Sequence, residues 1–306
     1  MSSTITPPLT GKPLIYGEVL FDIFPGDKKV LGGAPFNVAW HLQGFGLAPL
    51  FISRIGEDAE GDSVVDAMRQ WGMDDGGLQH DALHPTGGVE ISMQGTDHQF
   101  DIRSQQAYDY IEFEPVQHAI HGEALSLIYQ GSLIVRDPAS RGTLQRLIAA
   151  THLPVFVDIN LREPWWDTGT VEDVLQAARW AKLNDEELNT VVAVSAKTDD
   201  ALERAAREAL SRFQLDAIIV TRGAEGALIV TAQETATGRP PPVNDLVDTV
   251  GAGDAFCAVT LLGLHKGWTA SETLSRALAF ASAVCEQRGA TSLNRELYER
   301  TMAAWG

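Results

Sequence analysis

The chain has 306 residues, and 44% of them are apolar, which suffices for the core of one large domain or two average ones. Its formal net charge of -18 argues against nucleic acid and anionic membranes as partners, because such binding needs clustered Lys and Arg. A nucleotide would also be repelled, so a nucleotide site would depend on backbone amides, a metal ion and a few placed cations.

Short apolar segments alternate with amphipathic ones along the chain. Amphipathic spacing predicts helices over 170–181, 198–213 and 270–287. The alternation predicts βαβ units and an α/β fold with a doubly wound, mostly parallel sheet flanked by helices. The predicted strands are 14–20, 50–55, 125–130, 155–159, 217–221 and 227–230.

Residues 89–102 break this alternation. Two segments of alternating apolar residues, Val89–Met93 and Gln99–Ile102, flank the turn-like Gly95, Thr96 and Asp97. This pattern predicts a β-hairpin outside the main sheet. The local sequence fits a lid over a cleft and a plain surface hairpin equally well.

The two cysteines, Cys257 and Cys285, have no CxxC partner and no His at metal-ligand spacing, so we expect free thiols. The first 13 residues contain no apolar segment typical of a signal peptide. No run approaches the roughly 18 apolar residues needed to cross a bilayer. These features together predict a cytoplasmic protein.

The strongest local motif is DTVGAGDAF, from Asp248 to Phe256, followed by an apolar helical segment. The small residues Gly251, Ala252 and Gly253 would place free backbone amides at a helix N-terminus, which attracts an anion such as a phosphoryl group. Asp254, in the first turn, could then take the proton of an attacking hydroxyl. An acid in a first helical turn is also favoured by the helix dipole alone. A dinucleotide fingerprint fits less well, because a third Gly is missing and the motif does not follow a first strand.

A second motif, GGAPFNVA from Gly32 to Ala39, accompanies the first. The pair resembles the signatures of the ribokinase-like (PfkB) carbohydrate kinases, and every fixed position of the DTxGAGDxF pattern is present. The resemblance extends from about residue 14 to about residue 295. It implies that Asp254 is the catalytic base and that Gly251, Ala252 and Gly253 stabilise the transferred phosphoryl group.

The resemblance also implies a sugar site. Asp22, in the segment GEVLFD, matches the acid that binds sugar hydroxyls, and Gly32, Gly33 and Asn37 match the sugar-binding turn. Two glycines let backbone approach a polyol closely, and an Asn amide offers both a donor and an acceptor. Arg162, in the element NLR, could bring positive charge to the phosphoryl group. An ordinary turn and a surface ion pair are the structural alternatives.

On the nucleotide side, Asn184 and Glu187 match the family's N-x-x-E element and would share a helix face at i and i+3. The resemblance implies that Glu187 acts on Mg²⁺, mostly through water. Arg222 departs from the apolar residue that many members carry in this loop, which leaves its local contacts uncertain. Residues 283–292 would border the adenine. The implied nucleotide-binding residues are Asn184, Thr221, Gly223, Gly226 and Asp248.

These features imply one kinase domain over residues 1–306, with a small β-sheet lid inserted at about 22–31 and 88–112. The implied cofactors are ATP and Mg²⁺, with K⁺ as a candidate monovalent activator. A sugar and ATP are the expected partners, with no nucleic acid and no membrane. The hairpin could also form a homodimer contact through an apolar patch. That patch would comprise Val89, Ile91, Met93, Phe100 and Ile102.

The combination of motifs resembles the fructokinase side of the family most closely, so ATP-dependent phosphorylation of fructose is the expected activity. Three alternatives stay open. A related kinase would phosphorylate ribose, a nucleoside or 2-keto-3-deoxygluconate. A sugar-sensing protein would keep the fold without turnover, although an intact Asp254 argues against it. A dinucleotide-dependent oxidoreductase would require an early G-x-G-x-x-G, which the sequence lacks.

Overall fold

A computed structural model of the chain describes residues 4–26, 28–94, 97–243 and 245–306. Within these residues the secondary structure comprises thirteen strands and ten α-helices. The strands are β1 (Lys12–Tyr16), β2 (Leu20–Phe24), β3 (Lys28–Gly32), β4 (Leu50–Gly56), β5 (Leu78–Asp81), β6 (Gly87–Gln94), β7 (Asp97–Ile102), β8 (Leu125–Gly131), β9 (Val155–Asp158), β10 (Trp180–Asn184), β11 (Ala217–Thr221), β12 (Ala227–Thr231) and β13 (Thr235–Gly238). The helices are α1 (Ala34–Gly44), α2 (Ala59–Trp71), α3 (Phe113–Ala119), α4 (Pro138–Thr151), α5 (Thr168–Gln176), α6 (Asp185–Val191), α7 (Asp199–Arg212), α8 (Ala252–Lys266), α9 (Ala270–Cys285) and α10 (Arg295–Ala304).

The main sheet has nine strands in the order β13-β12-β11-β10-β9-β8-β1-β4-β5. All neighbouring pairs from β11 to β5 are parallel, while β12 and β13 add an antiparallel edge. The central strands are buried on both faces, which explains their nearly continuous apolar sequences. The predicted doubly wound, mostly parallel sheet is therefore confirmed.

Helices cover both faces of this sheet. Successive side chains of β1 point to opposite faces. Ile15 belongs to the apolar layer that includes residues of α1, α2, α8, α9 and α10, whereas Leu14 and Tyr16 belong to the layer that includes residues of α3 to α7. The sheet therefore lies between two apolar layers. Loops at the carboxyl ends of its strands can therefore carry a site in a fixed geometry.

A second sheet of four strands, in the order β3-β2-β6-β7, lies outside the main one. Strands β6 and β7 form the predicted antiparallel hairpin, and β2 pairs parallel to β6. The predicted turn residues Gly95 and Thr96 lie outside the described residues, as do the side chains of Met93 and Phe100. The described apolar side chains of the predicted patch, Val89, Ile91 and Ile102, are buried.

The predicted strand 14–20 is in fact two strands, β1 and β2, in different sheets. The chain changes sheet at Gly17, where a β-carbon would lie 2.2 Å from Cγ of Pro35. Only glycine allows this close approach.

The predicted helix 170–181 is wrong at its end, because α5 stops at Gln176. Trp180 and Ala181 are fully buried in β10, between the parallel strands β9 and β11. Tertiary pairing therefore overrides the helical spacing here. The predicted free thiols are present, with Cys257 buried and Cys285 partly buried. No helix of the described residues is both long enough and apolar enough to cross a membrane.

Candidate active site

A cavity of about 470 Å³ lies at the carboxyl ends of β8, β9 and β10 and is bordered by the small sheet. Strands β2 and β6 contribute Asp22 and Val89 to its lining, while the main sheet contributes Gly131 and Asp158. The carboxyl edge of a parallel sheet is where ligands bind in this class of fold. Of the residues predicted from the sequence, the cavity is lined by Asp22, Gly33, Asn37, Arg162, Gly251, Gly253 and Asp254.

Asp254 lies in the first turn of α8 and faces the cavity. The side-chain amide of Asn37 donates a hydrogen bond of 2.7 Å to Oδ2 of Asp254. Burial raises the pKa of Asp254 to about 6, although the Asn37 hydrogen bond opposes that shift. The carboxyl group can therefore accept a proton near neutral pH.

The N-terminus of α8 begins at a glycine in the left-handed conformation, Gly251, with φ of 80°. A β-carbon at this position would lie 2.4 Å from the β-carbon of Ala290. The amide of Ala252 donates to the carbonyl of Thr249 at 3.3 Å, so the amide of Gly253 is better placed for an anion. Ala252 itself does not line the cavity within the described residues.

Within the predicted sugar-binding turn, Gly33 precedes α1 with φ of 105°. A β-carbon on Gly33 would lie 2.8 Å from the carbonyl oxygen of Glu18, and one on Gly32 would lie 3.6 Å from Oδ2 of Asp22. The turn therefore lies against Asp22, although Gly32 is not among the cavity-lining residues. Burial raises the pKa of Asp22, and Arg162 opposes this shift.

Asn184 and Glu187 are not on one helix face as predicted, because Asn184 ends β10 and caps α6. Oδ1 of Asn184 accepts the amide of Glu187, and Oε2 of Glu187 accepts the amide of Asn184, both at 2.8 Å. This capping box stabilises the start of α6. Oε1 of Glu187 accepts the amide of Leu161 at 2.8 Å, which ties the loop after β9 to this helix.

The remaining predicted nucleotide-binding residues also lie outside the cavity lining. Thr221 pairs with Asn184 at the ends of adjacent strands. Gly226 has φ of 107°, and a β-carbon there would lie 2.0 Å from the carbonyl oxygen of Gly238. Asp248 accepts the amides of Val250 at 3.0 Å and Gly289 at 3.2 Å, which joins two loops. Gly223, with φ of 53°, lies in the loop between β11 and β12.

Arg222, the departure from the family pattern, is held by two carboxylates. Its Nη1 donates to Asp199 at 2.8 Å, and its Nη2 donates to Glu225. These ion pairs keep its charge at the protein surface.

The sequence analysis missed a buried ion pair that also lines the cavity. Nζ of Lys182 lies 2.8 Å from Oδ1 of Asp158, and the thiol of Cys257 donates to Oδ2 of Asp158 at 3.2 Å. Burial lowers the pKa of Lys182, but Asp158, Cys257 and Glu187 together outweigh burial and hold that pKa above its usual range. A lysine inside the apolar strand β10 was the available signal, because a buried charge requires a partner.

Glu18 also lines the cavity, and the sequence analysis did not single it out. Among the described residues, no group of three or more His, Cys, Asp or Glu side chains is arranged to hold a metal ion.

A doubly wound sheet with a polar cavity at its carboxyl edge defines a broad class of proteins that bind small molecules. Comparison with known proteins narrows this class, because residues 23–297 match the family described as pfkB family carbohydrate kinase. The chain therefore belongs to the pfkB family of carbohydrate kinases, and it is a sugar kinase.

Curated and structural relatives agree with this assignment. The chain is 29% identical to the fructokinase of Escherichia coli over 272 residues, which cover 84% of this chain and 86% of that protein. The fructokinase of Vibrio cholerae O395, in its fructose-, ADP- and calcium-bound form, superposes with a TM-score of 0.78 at 24% identity and covers 94% of this chain and 98% of its own. The 2-dehydro-3-deoxygluconokinase of Thermotoga maritima gives a TM-score of 0.81 at 16% identity, over 96% and 100% of the two chains. At these identities the two structural likenesses show the fold.

Proposed function

We propose that this sugar kinase transfers the γ-phosphoryl group of ATP to a hydroxyl of fructose, with Asp254 as the general base. The observation that supports this most directly is the position of Asp254. It faces the cavity from the first turn of α8, beside the amide of Gly253 and hydrogen-bonded to Asn37. Proton acceptor and anion site thus adjoin each other.

In this reaction the sugar oxygen bonds to the γ-phosphorus as the bond to the ADP oxygen breaks. The hydroxyl proton passes to the Asp254 carboxylate. The amide of Gly253 and the dipole of α8 would stabilise the charge on the transferred group. Arg162, which lines the cavity, would contribute a positive charge.

Fructose is the proposed sugar because the curated relative from Escherichia coli is a fructokinase. Asp22 and Asn37 would bind its hydroxyls, and Gly33 would let the backbone approach the ring. The solved 2-dehydro-3-deoxygluconokinase, with 16% identity, supports no sugar for this chain.

ATP would extend from Gly253 toward the loops that carry Asn184, Thr221, Gly223, Gly226 and Asp248. Magnesium would supply charge neutralisation on its phosphates. Each oxygen of Glu187 already accepts a backbone amide, so its remaining lone pairs suit a water on the ion. A potassium requirement stays a prediction.

We further propose that the whole chain is one kinase domain in which the small sheet acts as a lid. Leu20, Val89 and Ile102 of this sheet line the cavity with apolar side chains. Closing the sheet over the sugar would exclude water and so limit hydrolysis of ATP.

The decisive experiment measures ADP release from MgATP with fructose, ribose, adenosine, 2-keto-3-deoxygluconate, fructose 6-phosphate or no sugar. We expect fructose to give the highest kcat/KM. The Asp254→Asn variant should lower kcat about 10²- to 10⁴-fold, since it removes the base. A matched control is Asp81→Asn, which changes a buried carboxylate outside the cavity.

Three results would contradict the proposal. Turnover that survives in Asp254→Asn would show that another group takes the proton. A higher kcat/KM with another sugar would replace fructose as the proposed substrate. Sugar binding without ADP release would indicate a sugar-sensing protein.

A further inference from the structure

The loop between β1 and β2 carries a buried acid, Glu18, that the proposed reaction does not use. Its side chain lines the same cavity as Asp22, Asn37 and Asp254, and the residue is only 4% exposed. Within the described part of the chain, its Oε2 atom is buried without a hydrogen-bond partner. Such atoms are rare in folded proteins, so this one calls for a partner that the protein itself does not provide.

Close packing fixes the backbone of this loop against the predicted sugar-binding turn. A β-carbon on Gly33 would lie 2.8 Å from the carbonyl oxygen of Glu18 and 3.2 Å from Cα of Val19. On the other side of the loop, Gly17 leaves no space for a β-carbon beside Pro35. Glu18 is therefore held beside Gly33, the residue that we place against the sugar.

The surroundings of Glu18 suit a polar, uncharged group. Arg136 lies near it, and its Nε and Nη2 atoms donate to the two carboxylate oxygens of Asp109 at 2.7 Å each. Its Nη1 atom is buried without a hydrogen-bond partner among the described residues. The Arg136 guanidinium also lies 4.4 Å from the ring centroid of Trp165. The indole Nε1 of Trp165 is likewise buried without a partner among the described residues.

Burial raises the pKa of Glu18 to about 7, while Arg136 and Arg162 oppose this shift and Asp254 adds to it. Both the carboxylate and the neutral acid are therefore populated near neutral pH. Together they offer an acceptor and a donor, which is what a hydroxyl can satisfy.

We propose that Glu18 is a further substrate-binding residue, and that its carboxyl group hydrogen-bonds one hydroxyl of the bound sugar. This inference deepens the proposed function and rests on it for the identity of the sugar. A hydroxyl is favoured over an anionic substrate group, because an anion would be repelled by the carboxylate form and by Asp22 nearby.

The test pairs a protein variant with changes in the sugar. We would measure kcat/KM of the wild type and of Glu18→Ala with fructose and with a set of fructose analogues that each lack one hydroxyl. The analogue that lacks the hydroxyl bound by Glu18 should react about 10- to 100-fold more slowly with the wild type. Glu18→Ala should show a similar loss with fructose and no further loss with that analogue. Glu18→Gln, which keeps one oxygen acceptor, should retain part of the activity.

If the loss caused by Glu18→Ala multiplies with the loss caused by the missing hydroxyl for every analogue, the inference is overturned. Glu18 would then have only a structural role. Asp81→Asn is the control, and its effect should multiply with every analogue. If Glu18→Ala does not fold, as judged by its melting temperature, Glu18→Gln takes its place in the same cycles.

The two proposals can fail separately. If fructose is phosphorylated but no analogue shows coupling between its missing hydroxyl and Glu18→Ala, only the inference about Glu18 is contradicted. If another sugar is preferred, the cycles use its deoxy analogues. If calorimetry and ADP release show that no sugar is bound or phosphorylated, the proposed function fails and this inference fails with it.

Discussion

The two largest effects on the pKa of the Asp254 carboxyl group oppose each other. Burial disfavours its charged form, whereas the Asn37 amide, 2.7 Å from Oδ2, favours it. Burial is the larger effect, and the pKa rises to about 6. A base with this pKa is mostly ionised at neutral pH and is still basic enough to accept a proton from a hydroxyl.

This pKa predicts the acid limb of the pH profile. Because the base must be deprotonated, kcat/KM for the sugar should fall about tenfold per pH unit below pH 6. Steady-state rates between pH 5 and 8 would measure it. In Asp254→Asn the residual activity should lack this limb. A wild-type profile that is flat down to pH 5 would contradict the assignment of Asp254 as base.

The Asn37 hydrogen bond predicts a shift of the same limb. Removing the donor in Asn37→Ala removes an interaction that favours the carboxylate, so the pKa of Asp254 should rise and the limb should move to higher pH. The pH midpoint of the acid limb is measured separately from the maximum of kcat/KM, because that maximum also falls when sugar binding is lost. A midpoint that moves to lower pH would exclude this role for Asn37.

At the scale of single elements, the start of α8 depends on the backbone of Gly251. The prediction here is that Gly251→Ala lowers the free energy of unfolding by about 1–3 kcal/mol, because alanine is strained at φ of 80° and its β-carbon would meet Ala290. It should also lower kcat, since it would displace the amide of Gly253, which we propose stabilises the phosphoryl group. Urea denaturation and steady-state kinetics would measure the two effects.

Gly142, inside α4, is the matched control. No heavy atom lies within 4 Å of an added β-carbon there, so Gly142→Ala should stabilise the protein by about 0.5–1 kcal/mol and leave kcat unchanged. If Gly251→Ala and Gly142→Ala change the free energy of unfolding and kcat to the same extent, the geometry at the start of α8 has no special role.

Elements with a strong apolar pattern were predictable from the sequence, and elements held by backbone pairing were not. Strands β8 and β11 are buried on both faces and were predicted with nearly correct ends. The edge strands β5 and β13 were missed, since their sequences, LQHD and TATG, contain no apolar run. Their position comes from pairing with β4 and β12.

The site was predictable where a motif specified it. Asn37 and Asp254 were both named from motifs, but their contact across 217 residues of sequence required the fold. The lysine in an apolar segment signalled a buried partner for Lys182, but identifying that partner as Asp158 required the fold. Glu18 stood within a quoted motif, yet its unpaired oxygen is a property of the packed cavity.

At the scale of the whole molecule, the cavity lies between two sheets that differ in how they are held. Both faces of the nine-stranded sheet are covered by helices, whereas the cavity borders the four-stranded sheet. Asp22 on β2 and Val89 on β6 face the same space as Asp254. A sugar that contacts both sides would therefore join the small sheet to the main one.

This arrangement predicts that fructose protects the small sheet from hydrogen exchange. Saturating fructose should slow amide exchange in β2 and β6 about tenfold or more, because opening of the small sheet would first require loss of the sugar. Strand β5, at the far edge of the main sheet, should exchange at an unchanged rate. Exchange followed by mass spectrometry on peptides from these strands would measure both.

Asp22→Asn should weaken the protection at equal fructose concentration, since one proposed sugar contact is lost from the small sheet. Equal protection of β5 and β2 would instead mean that the small sheet does not open and close over the cavity. Water would then have to be excluded by the bound sugar itself.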